Sequence, residues 1–268
     1  MNLKDKLVLI TGASAGIGTA LAHQYAKYGA NFVLVARRKE RLQELAAALK
    51  DKYGAESLCI SADLAEPDAP QAILDQVSAA GKNVDILINN AGYGVPGKYL
   101  SVDWKTHADF NQVMITAVMH LTYLFLPHMV EQGYGRIINI ASLAGFMPGT
   151  EGHTCYAAVK HWMIPFTESL HFEYGHKGIH ATAVCPGFTY SEFHDITGTR
   201  EQVNKMSKRM WMTADEVAEQ ALDASEAGKV VLINGKLNNV IAGAIKLMPK
   251  RLQYYVMSKQ SKNFRKTD

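Results

Sequence analysis

The chain has 268 residues, of which 48% are hydrophobic and 20% charged, and its net charge is +3. That balance excludes an intrinsically disordered chain and fits one globular domain, or at most two small ones. Three widely spaced cysteines, Cys59, Cys155 and Cys185, argue against a disulfide framework and fit a reducing, cytoplasmic compartment.

The N-terminus, MNLKDKLVLITG, holds only a short apolar run and reads as neither a signal peptide nor a membrane span. Leu7–Thr11 reads as a strand followed by glycines, and Ile17–Tyr28 carries helical spacing. Asn31–Ala36 is β-like, and Lys39–Lys50, rich in Leu, Ala and Glu, is helical. Leu58–Ser61 is a short strand candidate. Pro67 opens a helix to about Ala80, since proline is tolerated in a first turn. Val84–Asn89 is a strand, and one long helix is expected from Asp103 to Met129. Arg136–Ala141 is a strand, Tyr156–Tyr174 a helix and Ile179–Cys185 a strand.

After Pro186 the rhythm breaks. Residues 187–212 hold turns, aromatics and methionines without a clear strand, and a loop of that length in a compact domain is commonly functional. Thr213 then caps a helix with acids in its first turn, and Lys229–Ile233 is a final strand. Val240–Met248 is apolar, Pro249 interrupts it and a basic tail follows. Strands alternating with helices at this spacing predict an α/β fold, a doubly wound parallel sheet of about seven strands with helices on both faces. No linker or repeat marks a second domain, so 1–268 reads as one domain, 187–212 as a substrate lid and 236–268 as a basic helical extension.

The charge is uneven: residues 236–268 hold eight Lys/Arg and one acid, whereas the rest hold 20 basic and 24 acidic groups. Such a tail reads as a solvated helix face, or as a contact for a membrane surface or an acidic partner. Nucleic acid has little support, because no basic stripe interleaved with aromatics appears elsewhere.

TGASAGIG follows the first strand and opens the first helix, with Gly12, Gly16 and Gly18 spaced GxxxGxG. A turn of this kind lets backbone amides approach an anion at the positive end of a helix. The second strand ends VLVARRKER. No acid follows it to take a ribose 2′-hydroxyl; Arg37 and Arg38 do follow it and suit a 2′-phosphate. NADP is therefore expected over NAD, the alternative being two solvent-facing first-turn arginines. No CxxC or HExxH occurs, and His153 with Cys155 makes at most half a metal site, so no metal is expected.

TGASAGIG at 11–18, NNAG at 89–92, Ser142 in NIASLAG, YAAVK at 156–160 and PG at 186–187 occur in one order. Together they closely resemble the short-chain dehydrogenase/reductase family over about residues 5–235. ARRKERL and PGFTYSEF are similar to its ketosteroid and long-chain-acyl reductases and their bacterial relatives. The resemblance implies a Rossmann-type sheet, a nicotinamide cofactor and hydride transfer to or from a carbonyl or alcohol. It implies Tyr156 as acid/base, Lys160 lowering its pKa and binding the nicotinamide ribose, and Ser142 holding the substrate oxygen. It further implies a cofactor held by Gly12, Ser14, Gly16, Ile17 and Gly18, with Asp63 at the adenine and Asn90 and Gly92 along its side. Pro186 and Gly187 would lie near the nicotinamide, and Thr189 would reach its carboxamide. Asn89 reads instead as a structural turn residue.

The chemistry behind the trio is general. A ketone gains negative charge on oxygen as hydride arrives, so a positioned acid and a hydrogen-bond donor are required. An ammonium one helical turn from a phenol would lower the phenol's pKa. One position departs from the family: Met114 stands where an asparagine commonly holds a water behind the lysine, and a thioether cannot donate a hydrogen bond. Asn111, one turn earlier, is not assumed to replace it.

The substrate side is expected from Tyr93, Val95, Phe146–Pro148, Phe188–His194 and Met206–Met212, which suit a hydrophobic carbonyl compound or alcohol. The family commonly pairs its long fourth and fifth helices, which implies a homodimer or homotetramer. A rival reading is an NADP-binding sensor or scaffold with little turnover.

Overall fold

Leu7–Thr11 is buried along its whole length and forms β1, inside a sheet covered on both faces. The structure, a computed structural model, describes residues 1–95, 97–149, 151–152, 154–193 and 207–264. β2 (Asn31–Ala36), β3 (Ser57–Ser61), β4 (Ile86–Asn89), β5 (Gly135–Ile140) and β6 (Ile179–Cys185) join β1 in it. A two-residue parallel pair, β7 (Phe188–Thr189) with β8 (Trp211–Met212), stands apart, and β9 (Val231–Ile233) ends the main sheet. The order is β3-β2-β1-β4-β5-β6-β9, parallel throughout. The order reverses between β1 and β4, which opens a crevice beyond the C-terminal ends of these strands.

The helices are α1 (Gly16–Ala26), α2 (Lys39–Tyr53), α3 (Ala69–Ala79), α4 (Trp104–Asn111), α5 (Ala117–Gln132) and α6 (Thr154–Tyr174). After them come α7 (Ala214–Glu226), α8 (Lys236–Leu247) and α9 (Lys250–Phe264). Alternate strand residues serve opposite faces. Val8, Ile10, Phe32 and Leu34 pack with α1, α2 and α7, whereas Leu7, Leu9, Val33 and Val35 pack with α3, α4, α5 and α6.

The single long helix expected over 103–129 is present as Trp104–Gln132, with a π-helical irregularity inside it. α4 and α5 are joined by a π-helical turn, Gln112–Thr116, and Met114 sits inside it. Trp104–Gln132 is long and apolar enough to cross a bilayer, with mean hydropathy 1.6, yet half of its most apolar window is buried inside the fold. The loop 187–212 was expected to lack strands; its ends pair as β7 and β8, while 194–206 of the expected lid lie outside the described residues. Helix α8 starts at Lys236, the residue from which the helical extension is expected, and carries the apolar run Val240–Met248 at its end. Buried Gln253 of α9 donates to the carbonyls of Ile245 and Met248, each at 2.8 Å, and so satisfies the end of α8 across the Pro249 break.

Candidate active site

The crevice is built from the strand ends. Gly12 and Gly16 have φ of +67° and +56°, the left-handed region that glycine enters freely. Asn90 braces this turn by donating from Nδ2 to the carbonyls of Thr11 at 2.9 Å and Gly12 at 3.1 Å. Thr11 Oγ1 in return accepts the backbone N–H groups of Asn90 and Ala91, both at 3.0 Å. Gly18 lies beneath the turn rather than on the crevice wall: a Cβ there would fall 2.4 Å from the Gly12 carbonyl oxygen. Ala15, at the N-cap of α1, offers no side-chain acceptor, so the first amides of that helix have no cap from it. Gly12, Ser14, Gly16 and Ile17 line the crevice there.

At the end of β2, Arg37 Nη1 lies 3.8 Å from Asp63 Oδ2, and Asp63 Oδ1 accepts the Ala65 N–H at 3.0 Å. Arg38 Nη2 donates to Ser14 Oγ at 3.3 Å and to Glu192 Oε2 at 3.0 Å. Arg41 Nη1 donates to the other oxygen of Glu192 at 2.6 Å. Arg41 and then Arg38 hold the Glu192 carboxyl below its ordinary range. Sequence reading missed both Arg41 and Glu192. Arg41 carried a signal, being one turn from Arg38 on the same helix face; Glu192 carried none.

Ser142 follows β5 in extended conformation and caps a 3-10 turn, Leu143–Phe146, its Oγ accepting the Ala144 N–H at 3.1 Å. The Leu143 N–H donates to Pro186 O at 2.9 Å, which ties this turn to the end of β6. Tyr156 and Lys160 project from one face of α6 into the same crevice. The Tyr156 hydroxyl faces the cleft on the Ser142 side, and its ring packs against Phe193 with centroids 5.6 Å apart. Lys160 is 4% exposed and its Nζ donates to Ile140 O at 2.6 Å.

The expected depression of the Tyr156 pKa by Lys160 is corrected here. Burial pushes the phenol up, to about 12, against the opposing pull of the Ser142 side chain. The ammonium is aimed at the Ile140 carbonyl and sits 5.7 Å from the Tyr156 ring centroid. Burial also draws the Lys160 pKa down to about 8.

Met114 is fully buried behind NNAG, its sulfur 2.9 Å from where a Cβ on Gly92 would stand. Asn89 serves a buried ladder rather than the crevice: its Nδ2 donates to Asn139 Oδ1 at 2.8 Å, and Asn139 Nδ2 to Thr167 Oγ1 at 2.8 Å. Thr189 is buried and donates to Gly187 O at 3.2 Å, and it lines the crevice with Pro186 and Gly187. Cys155 Sγ lies 3.8 Å from His107 Nδ1, whereas His153 is outside the described residues.

The cleft encloses about 1140 Å³ and runs from Arg37 and Arg38, past the glycine turn, to Ser142 and Tyr156. That exceeds the roughly 300–1,000 Å³ of pockets for drug-sized ligands. An elongated dinucleotide fits this set: left-handed glycines and free helix amides for its phosphates, and arginines at one end. Of the apolar residues expected around a substrate, Tyr93, Met147, Pro148, Phe188, Phe193 and Met210 line the cleft. Val95 and Phe146 pack into the core instead, and His194 and Met206 are outside the described residues. Ile241, Ile245 and Met248 of the apolar α8 segment and Val256 and Met257 of α9 also line it.

Comparisons with known proteins converge on one family. The profile of the short chain dehydrogenases matches residues 6–202. A Dictyostelium discoideum protein described as dehydrogenase/reductase SDR family protein 7-like is 34% identical over 89% of this chain and 77% of its own length. A short-chain dehydrogenase from Sphingobium yanoikuyae, solved in complex with NADPH, superposes with TM-score 0.79 at 31% identity, covering 91% of this chain and 96% of that one. The bulky-bulky ketone specific alcohol dehydrogenase from Comamonas testosteroni superposes with TM-score 0.75 at 28% identity, over 91% and 95%. Since sequence profile and fold agree over most of the chain, it belongs to the short-chain dehydrogenases, and with them to the NAD(P)-dependent oxidoreductases.

Proposed function

We propose that the protein is an NADPH-dependent carbonyl reductase for a hydrophobic ketone or the corresponding alcohol. The observation that carries this reading is that Ser142, Tyr156 and Lys160 line the same cleft as the glycine turn and Arg38. NADPH, when bound, supplies the hydride. Gly12, Ser14, Gly16 and Ile17 would hold its phosphates, Arg37 and Arg38 the 2′-phosphate, Asp63 the adenine end and Thr189 the amide end. Asn90 and Gly92 form the wall between, and Lys160 would turn from the Ile140 carbonyl to serve the ribose.

The chain's own groups then handle the oxygen. Ser142 Oγ holds the substrate oxygen by a hydrogen bond while negative charge develops there. Tyr156 gives that oxygen its proton. The phenol is in its protonated form at neutral pH, as donation requires, and burial makes it a weaker acid than a free tyrosine. The apolar walls of the cleft exclude water and favour an apolar substrate. The ketone-specific relative from Comamonas testosteroni and the NADPH-bound one from Sphingobium yanoikuyae support the reading. Exposed Met119 and Tyr123 on α5 and Phe172 on α6 support self-association through those helices, as a homodimer or homotetramer.

A screen of NADPH oxidation over ketosteroids, 3-oxoacyl thioesters, aromatic ketones and quinones tests the proposal, with NADH run in parallel. Turnover of at least one of these classes, faster with NADPH, is expected. Met114, at a position suited to a hydrogen-bonding residue, favours the second reading, an NADP-binding sensor with little turnover. NADPH binding without oxidation of any class, unaffected by Tyr156→Phe, would establish that reading.

A further inference from the structure

The C-terminal helix pair presents an outer face that the cleft does not use. On α8, Asn238 and Ala242 are buried and Ile241 and Ile245 line the cleft. The opposite side is also apolar: Val240 is 67% exposed and Leu247 87%, with Leu237 beside them. Helix α9 adds exposed Leu252, Tyr254 and Tyr255. A helix that only covers a cleft would turn polar residues to water. Cations accompany this apolar surface: Lys236, Lys246, Lys250, Arg251 and Lys259, the last with its Nζ 4.6 Å above the Tyr255 ring. No Asp or Glu occurs between Lys236 and Lys259.

We propose that this face seats the protein on an anionic lipid bilayer, with α8 and α9 lying in the plane of the headgroups. Apolar and tyrosine side chains among lysines form the composition of an interfacial helix. Helix α8 has 12 residues and spans about 18 Å, too short to cross the hydrocarbon. Charge decides between occupants. A second copy meeting this face by two-fold symmetry would set cations against cations. A nucleic acid would be held by the lysines alone and would leave Val240 and Leu247 in water. An anionic bilayer takes both the charge and the apolar groups.

The test is cosedimentation of the full chain with phosphatidylcholine vesicles, with and without phosphatidylglycerol. Binding to the anionic vesicles only, weakened by salt, is expected. Lys246→Glu and Lys250→Glu should each weaken it by about fivefold or more. Val240→Asp with Leu247→Asp should abolish it, with the melting temperature retained. Failure to bind either vesicle overturns the proposal. So does binding that survives the two aspartates while a DNA duplex competes for it, which marks a purely basic patch. A change from oligomer to monomer in the aspartate variant without vesicle binding assigns the face to a subunit contact and also overturns it. NADPH oxidation is read separately, so an inactive preparation leaves the vesicle result standing.

Discussion

Glu192 and Arg38, 154 residues apart in sequence, meet at 3.0 Å, and Arg41 closes on the other carboxylate oxygen at 2.6 Å. A carboxylate thus lies on the guanidinium group that a 2′-phosphate requires. On the proposed NADPH reading, the 2′-phosphate and Glu192 would compete for one charge. Glu192→Gln is expected to tighten NADPH binding about two- to fivefold, the worth of an exposed ion pair, and to leave NADH unchanged. Arg38→Ala should weaken NADPH about tenfold or more relative to NADH. Nicotinamide fluorescence titrations give both constants. Equal shifts for the two nucleotides would show that Glu192 acts on the loop rather than on the phosphate.

The placing of Ser142 and Tyr156 in one cleft leads to a prediction about rate and its pH dependence. Tyr156→Phe should lower kcat about 10²–10⁴-fold and leave the NADPH dissociation constant unchanged. Ser142→Ala should cost about 10²–10³-fold, as for one lost oxyanion donor. Because burial holds the phenol protonated up to about pH 12, reduction should be flat between pH 6 and 9 as far as Tyr156 is concerned. Alcohol oxidation needs the phenolate and should climb about tenfold per pH unit over the same range. An oxidation rate that levels off near neutral pH would mean that the phenol is acidified after all.

Met114 yields a third prediction. Its thioether fills the space behind Gly92, inside the π-helical turn between α4 and α5. An amide there could hold a water on the Lys160 side of the cleft. Met114→Asn is expected to raise kcat severalfold or to shift its pH dependence, at a stability cost of about 1–3 kcal/mol for the buried amide. Stopped-flow turnover across pH, with a melt of each protein, checks both halves. An unchanged pH–rate profile removes the idea of a missing water site.

What the sequence made visible follows from local physics. Strands β1, β2 and β6 have the bounds expected of them; β1 and β2 read as the near-continuous apolar runs of buried parallel strands, while β6, IHATAVC, lies between Gly178 and Pro186. Thr213 and Glu216 form the capping box that a Thr before an acidic first turn announces. Tyr156 and Lys160 were legible because one helical turn fixes their common face. The π-helical turn was not, since one extra residue barely disturbs an apolar period. Nor was the β7–β8 pair, whose two-residue strands are too short to show alternation. Glu192 on Arg38 and the cleft wall from α9 are long-range contacts, decided by how the chain closes. The direction of the Tyr156 shift was misjudged for the same reason. Spacing gave the distance to Lys160, but only the fold gives the burial that outweighs it.

Lys160 carries the last prediction, and its sign can be worked through. Burial lowers its pKa from 10.5 to about 8 in the folded protein. The unfolded chain keeps this proton until about pH 10.5, so between about pH 8 and 10.5 it binds more protons than the native state. Stability therefore rises with pH across that window, and the full cost of burying the charge, on the order of 3 kcal/mol, is present below it. Lys160→Met removes both the cost and its pH dependence, and it should also abolish turnover. Tyr156 contributes in the opposite sense, since its raised pKa stabilises the fold below pH 10 and that stabilisation fades towards about 12. It is present in both proteins and largely cancels. Urea unfolding of the nucleotide-free proteins at pH 7 and pH 10 should show the wild type gaining about 2–3 kcal/mol on the variant. Equal changes in the two proteins would mean that the ammonium remains hydrated in the native state, and that the Ile140 carbonyl is not its principal partner.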